Sequence, residues 1–200
     1  MIIPFLFNIR NKVLPLHKLT DEQLMERVSA HDDDRAYDEL YHRHARQLMG
    51  FFYRQVNRDE ALAADLLQDA FMRVWASRDT YSGAAFLTWL YSIAYNLCKN
   101  HFRHESYVLM YEEEVKITKS EEYVDDFECQ LDKESFDEAL QAMLQNMPPA
   151  QRMLFSLRFE EELTVPQIAK VLDIPEGTVK SRLHTLIVSL KNKLQHYGKL

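Results

Sequence analysis

Glycine is scarce in this 200-residue chain, with 4 in all, and proline is limited to 6. Tight hairpins usually need Gly or Asn-Gly at the turn, so the shortage favours helices over antiparallel strands. Only two cysteines occur, Cys98 and Cys129, and neither has a CxxC partner. That argues against a disulfide framework and against a zinc knuckle, and it suits a reducing cytoplasm. No apolar run approaches the length of a membrane span. The nearest, "MIIPFLFNIR", is short and contains Pro4. Its basic residues, Arg10 and Lys12, follow the apolar run, whereas a signal peptide places them before it. Residues 1–19 therefore read as an apolar extension of a soluble, cytoplasmic protein. Positive charge is also short: the formal net charge is -7, the wrong sign for a chain that holds phosphates unaided.

What is present is a 46% hydrophobic fraction with 12% aromatics, enough for a real core. The length fits one ordinary domain or two small ones. The charge is unevenly placed. Residues 1–104 hold 13 basic and 13 acidic side chains, and residues 145–200 hold 8 and 5. Residues 105–144 hold 3 basic against 13 acidic, a net of -10 that exceeds the whole imbalance. Blocks of like charge stay extended and solvated. This segment reads as an acidic linker between two bodies.

The second body has the grammar of a helix-turn-helix. In "LTVPQIAKVLDIPEGTVKSRLHTLIVSLKNKL", Thr164 and Gln167 have capping-box spacing, and Pro166 falls in the first turn, where its missing N–H costs little. Ile168, Ala169 and Leu172 form an apolar face, and Asp173 to Gly177 make the turn. Val179, Leu183, Leu186, Leu190 and Leu194 then recur at helical spacing. Lys180, Ser181, His184 and Thr185 fall on other faces, where such a helix presents groups to base edges and phosphates of a major groove. A plain amphipathic hairpin with a solvated basic face is the simpler alternative. Upstream, "LQNMPPAQRMLFSLRF" supplies a helix started by Pro148 and Pro149, with Met153, Leu154, Leu157 and Phe159 as its apolar face.

The first body shows four helical patterns. Thr20 and Gln23 open the first in capping-box spacing. The second buries Ala36, Leu40, Leu48 and Phe52. The third, "DEALAADLLQDAFMRVWAS", buries Leu62, Leu66, Ala70 and Val74 and exposes Asp65, Gln68, Asp69, Met72 and Arg73. In the fourth, "AFLTWLYSIAYNLCKNHFRH", Leu87, Leu90, Ile93, Ala94 and Leu97 face the core. A second arc carries Trp89, Ser92, Asn96, Lys99 and Arg103, and a third carries Tyr91, Tyr95 and Phe102. Aromatics beside Asn, Lys and Arg can stack unpaired bases and hold their phosphates. They can equally be core residues of a larger bundle beside solvated cations. The HxH at His42 and His44 points its rings about 200° apart, at 100° per residue, and cannot share an ion. His101 and His104 lack a third ligand. No metal, cofactor, small-molecule substrate or catalytic constellation is expected, and the chain does not read as an enzyme.

The order of these motifs resembles one family across roughly residues 20–195. "DLLQDAFMRVW", then "FLTWLYSIAYNLCKNHFRH", an acidic linker and "MPPAQRMLFSLRF…LTVPQIAKVLDIPEGTVKSRL" are similar to bacterial RNA polymerase sigma factors of the extracytoplasmic-function (ECF) type. "GTVKSRL" alone also looks like a LuxR-type response-regulator domain, but the first body argues against that. The resemblance implies an all-α fold of two small helical domains joined by an acidic linker, the second a helix-turn-helix. Residues 20–104 would form the region 2-like domain, 105–139 the linker and 140–197 the region 4-like domain.

The same resemblance casts Asp65, Gln68, Asp69, Phe71, Met72 and Trp75 as the surface, with its supports, that docks on the clamp helices of the polymerase largest subunit. It assigns minus-ten recognition and melting to Trp89, Ser92, Tyr95, Asn96, Lys99, Asn100 and Arg103. It assigns minus-thirty-five reading to Thr178, Lys180, Ser181, Arg182, His184 and Thr185. Core RNA polymerase, promoter DNA and an anti-sigma factor are the implied partners. Asn100 stands where the family often has Asp, Thr185 and Ile187 where it often has Arg, and Pro175 where a Ser cap is common. These departures bear on promoter preference. Two rivals remain at this point: a helix-turn-helix regulator that binds duplex DNA without polymerase, and a helical interaction protein that only sequesters an anti-sigma partner.

Overall fold

The computed structural model describes residues 15–83, 85–104, 143–144 and 146–194, without the side chains of residues 103, 104, 193 and 194. Most of the apolar extension, the acidic linker and the side chains of Arg103 and Leu194 lie outside the described residues.

The first helical set is α1 (Asp21–His31), α2 (Asp34–Gln55), α3 (Glu60–Ala76) and α4 (Phe86–His104). Each of the first three starts where a side chain satisfies an orphan backbone N–H. The expected box opens α1: Gln23 N donates to Thr20 Oγ1 at 3.3 Å, and Thr20 N donates to Gln23 Oε1 at 3.0 Å. Asp33 accepts from Ala36 N and Asp59 from Leu62 N to cap α2 and α3. The turns between them are tight. Asp32 closes α1 with φ 49°, and Asn57 and Arg58 reverse the chain after α2 with φ 54° and 67°. Asn tolerates that left-handed geometry, whereas Arg adopts it at a cost in strain.

The second set is α5 (Pro149–Phe155), a π-helical turn (Ser156–Glu160), α6 (Val165–Leu172) and α7 (Glu176–Leu194). Proline at the start of α5 forfeits no helical hydrogen bond. Gln167 Oε1 accepts from Thr164 N at 2.9 Å and Thr164 Oγ1 at 2.7 Å at the start of α6. Asp173, at φ 54°, ends α6, and Ile174 N donates to Ala169 O at 3.1 Å as the chain turns into α7. Among the described residues there is no strand.

The two sets pack on each other. α4 lies along α6 and α2 touches α5, so one continuous apolar core runs from Leu24 to Leu186. Ala36, Leu40, Leu48, Phe52, Leu66, Ala70, Val74, Leu90, Ala94 and Leu97 are buried as the periodicity requires. Leu62, Leu87 and Ile93 are only half-buried at the edge of that core. The expected apolar face of α5 holds for Met153, Leu154 and Leu157, but Phe159 is 45% exposed. The reason is the π turn, whose extra residue per turn rotates Phe159 out of the stripe that 3.6-residue periodicity assigns it.

Candidate functional site

The exposed ridge of α3 carries three polar residues and one methionine. Asp65, Gln68, Asp69 and Met72 all face solvent, and Met72 is 59% exposed. Beneath them the ridge is stiffened by aromatics. Phe71 is buried, and its ring meets Tyr41 edge-on at 4.7 Å. Tyr37 donates its hydroxyl to Phe71 O at 2.8 Å, and burial pushes that phenol up to about 12. Trp75 is half-buried, with Tyr37 at 5.1 Å and the Arg78 guanidinium 4.7 Å over its ring. Phe71 and Trp75 thus hold the ridge from below, and the charged residues and Met72 form its outer surface.

On α4, Asn96, Lys99 and Asn100 are exposed at the C-terminal half of the helix. Trp89 and Tyr95 are half-buried. Trp89 packs on Tyr81 and Phe86, with ring centres 5.1 and 6.1 Å away. The Lys99 ammonium lies 5.9 Å from the centre of the Tyr95 ring. Ser92 Oγ donates to Thr88 O at 2.9 Å, so in the free chain it is turned back on its own helix. The helix thus presents an ammonium beside an aromatic ring, with exposed amides on its C-terminal half, groups that can stack a base and steer its phosphate.

On α7, Lys180, Ser181 and Thr185 are exposed, and Thr178, Arg182 and His184 are half-buried. Ser181 Oγ donates to Thr178 O at 3.0 Å and Thr185 Oγ1 to Ser181 O at 3.1 Å. Both hydroxyls can rotate from these bonds to outside acceptors. Val179, Leu183 and Leu186 are buried on the opposite face, which fixes the rotation of the helix.

Sequence reasoning missed one cluster, at the junction of the two sets. Glu161 is 4% exposed. Its Oε1 takes Arg54 Nη2 at 2.6 Å, and its Oε2 takes Gln47 Nε2 at 2.8 Å and the Tyr91 hydroxyl. Arg54 Nε also meets Glu160 Oε2 at 2.6 Å. Burial pushes the Glu161 carboxyl above the usual carboxylate range, and burial followed by the Glu161 charge pushes the Tyr91 phenol up. Nearby, Arg152 Nη1 donates to Asn57 Oδ1, and burial lowers that guanidinium. Glu161 sits inside "FEEEL", which reads as solvated charge. The signal available was its position four residues after the core residue Leu157.

α3, α4 and the start of α7 fall within segments that match two family models. Residues 40–107 match the model for Sigma-70 region 2, and residues 137–185 match the model for Sigma-70, region 4. The chain is 30% identical over 183 residues to the RNA polymerase sigma-H factor of Pseudomonas aeruginosa, covering 88% of this chain and 94% of that one. It is 29% identical over 187 residues to the ECF RNA polymerase sigma-E factor of Haemophilus influenzae, covering 89% and 97%. The solved structure of CnrH in complex with the cytosolic domain of CnrY superimposes with a TM-score of 0.63 at 19% identity, over 88% of this chain and 97% of that one. Among the described residues no helix is long and apolar enough to cross a membrane. The chain belongs to the RNA polymerase sigma factors of the ECF type, transcription initiation factors that direct RNA polymerase to promoters.

Proposed function

We propose a division of labour among the three surfaces. The α3 ridge of Asp65, Gln68, Asp69 and Met72, propped by Phe71 and Trp75, docks on the clamp helices of the polymerase largest subunit. The α4 face of Trp89, Ser92, Tyr95, Asn96, Lys99 and Asn100, with Arg103 one turn on, captures an unpaired minus-ten base and so traps the melted strand. The first turns of α7, with Thr178, Lys180, Ser181, Arg182, His184 and Thr185, enter the major groove of the minus-thirty-five element. Residues 20–104 and 140–197 act as the two domains, and residues 105–139 tether them. The protein supplies recognition and no catalysis, works in the cytoplasm, and is held in check by an anti-sigma partner.

The observation that carries this reading is the α3 ridge. Asp65, Gln68 and Asp69 are exposed on one face of α3 beside Met72. The test is binding of the purified protein to bacterial core RNA polymerase, wild type beside the triple variant Asp65→Ala/Gln68→Ala/Asp69→Ala. Binding by the wild type that falls at least about tenfold in the folded variant supports the docking surface. Equal binding by both moves the docking surface elsewhere. No binding by the folded wild type refutes the reading and favours a regulator that binds duplex DNA unaided.

A further inference from the structure

The arrangement of the two helical sets conflicts with the task assigned to them. The minus-ten and minus-thirty-five elements lie about 25 base pairs apart, roughly 85 Å of duplex at ~3.4 Å per base pair. α4 and α7 each span 19 residues, or about 28 Å at ~1.5 Å per residue. α4 packs directly on α6, and α7 begins at Glu176, four residues after α6 ends at Leu172. With α4 and α7 both anchored at α6, their reading faces cannot be 85 Å apart. One molecule in this form can engage one element but not both.

The densest polar contact between the two sets centres on one residue, beside the Arg54–Glu160 and Arg152–Asn57 contacts. Glu161 comes from the turn that precedes α6, and every partner of its carboxylate comes from the other set: Gln47 and Arg54 on α2, and Tyr91 on α4. The carboxylate and the Tyr91 ring are buried, while Arg54 is half-buried and Gln47 is exposed at the rim. Leu157 and Leu163, which flank Glu161 in the chain, are fully buried, and the Tyr91 ring meets Phe51 edge-on at 5.2 Å. A buried carboxylate with three donors is a strong, directional contact. It is costly to half-break, because Tyr91, 1% exposed, would keep a buried hydroxyl without its acceptor. The apolar contacts around it are non-directional and tolerate sliding. Glu161 therefore sets both the register and the persistence of the closed form.

We propose that Glu161, with Tyr91, Gln47 and Arg54, is an interdomain latch. It keeps the free factor closed, and it must be released for one molecule to span both promoter elements. This inference rests on the two-element reading above. Its physical half, that Glu161 holds the sets together, stands apart from it. The latch works by population: core polymerase binds the open form, and the closed fraction taxes its apparent affinity.

The test uses the full chain. Small-angle scattering of Glu161→Ala and of Tyr91→Phe is compared with wild type, with helicity followed by circular dichroism. A compact 200-residue globule has a radius of gyration of about 17 Å. Both variants are expected to exceed the wild-type radius by several ångström with helicity unchanged. Each should also bind core polymerase about fivefold or more tightly, as the closed-state tax falls. An unchanged radius in a helical Glu161→Ala protein overturns the latch. If that variant loses helicity, Tyr91→Phe decides the matter, because it keeps the ring packing and removes only the hydroxyl. Expansion without tighter binding overturns the inhibitory role. Failure of the wild type to bind polymerase at all refutes the initiation reading and leaves the scattering result to judge the contact.

Discussion

Asp21 is the residue whose removal gives the most quantitative check on the first helical set. It is the first residue of α1, and its two oxygens serve two partners on α2. Oδ1 takes Arg43 Nη1 at 2.9 Å and Oδ2 takes His44 Nε2 at 2.8 Å. Arg43 also donates to Leu19 O and Leu16 O, so the same hub ties down the segment before α1. The His44 hydrogen bond is the largest influence on the Asp21 carboxyl, and it outweighs burial to hold that group below its ordinary range.

Consider Asp21→Asn. The Asp21 and Arg43 side chains are 24% and 25% exposed, so solvent screening cuts each charged hydrogen bond to about 0.5–1 kcal/mol. The lost charge at a helix N-terminus adds roughly 0.3–1 kcal/mol. The sum is about 1.3–3 kcal/mol, which for a chain of this size lowers Tm by roughly 3–12 °C. A carboxyl with a depressed folded pKa contributes stability that is present above its unfolded value near ~3.9 and lost as pH falls through the folded value. The Tm gap between wild type and variant is therefore full at about pH 6–7 and narrows below about pH 4. Thermal melts across that range measure it. A gap that stays constant with pH, or no gap at neutral pH, refutes the reasoning that charge holds this hub.

Two further outcomes follow from the same structure. Lys180→Ala should weaken promoter binding by the polymerase complex at low salt and flatten the slope of log K against log salt by about 1, which a salt titration checks; an unchanged slope removes Lys180 from the phosphate contacts. Cys98 is fully buried, and burial pushes its thiol up to about 12, so in a Cys129→Ser background a thiol reagent should label it only as fast as the protein opens. Rapid stoichiometric labelling in the native state would contradict the packing of α4.

The parts of the fold that were legible in the sequence are those fixed by neighbours within a few residues. The Thr20–Gln23 and Thr164–Gln167 pairs mark helix starts because capping is a contact three residues long. The α3 ridge could be read because one exposed stripe of a helix follows from its buried one. The register of α7 came from Val179, Leu183 and Leu186 in the same way. Glu161 could not be read in this manner. Its partners Gln47 and Arg54 are 114 and 107 residues away, so no local pattern distinguishes it from the exposed Glu162 beside it. Phe159 failed for a related reason. A single π turn alters the period that the apolar stripe assumes, and that turn ends in the junction itself.

The charge distribution explains why such a factor depends on its polymerase. The first 104 residues are neutral overall and the last 56 carry a net +3, while residues 105–144 carry -10. Non-specific affinity for DNA grows with the number of phosphates a protein neutralises, and the proposed reading faces offer few cations: Lys99 and Arg103 on α4, and Lys180 and Arg182 at the start of α7. A chain built this way is expected to bind random duplex weakly. That weakness has a use. A factor that held DNA tightly by itself would be spread over the genome's non-specific sites and would compete with its own polymerase complex for promoters. Under the proposed division of labour, a chain with little affinity of its own would read DNA only where the polymerase supplies the remaining attraction. Discrimination can then rest on the few amide, hydroxyl and ammonium groups of α4 and α7, and access to polymerase becomes the step at which control is most effective.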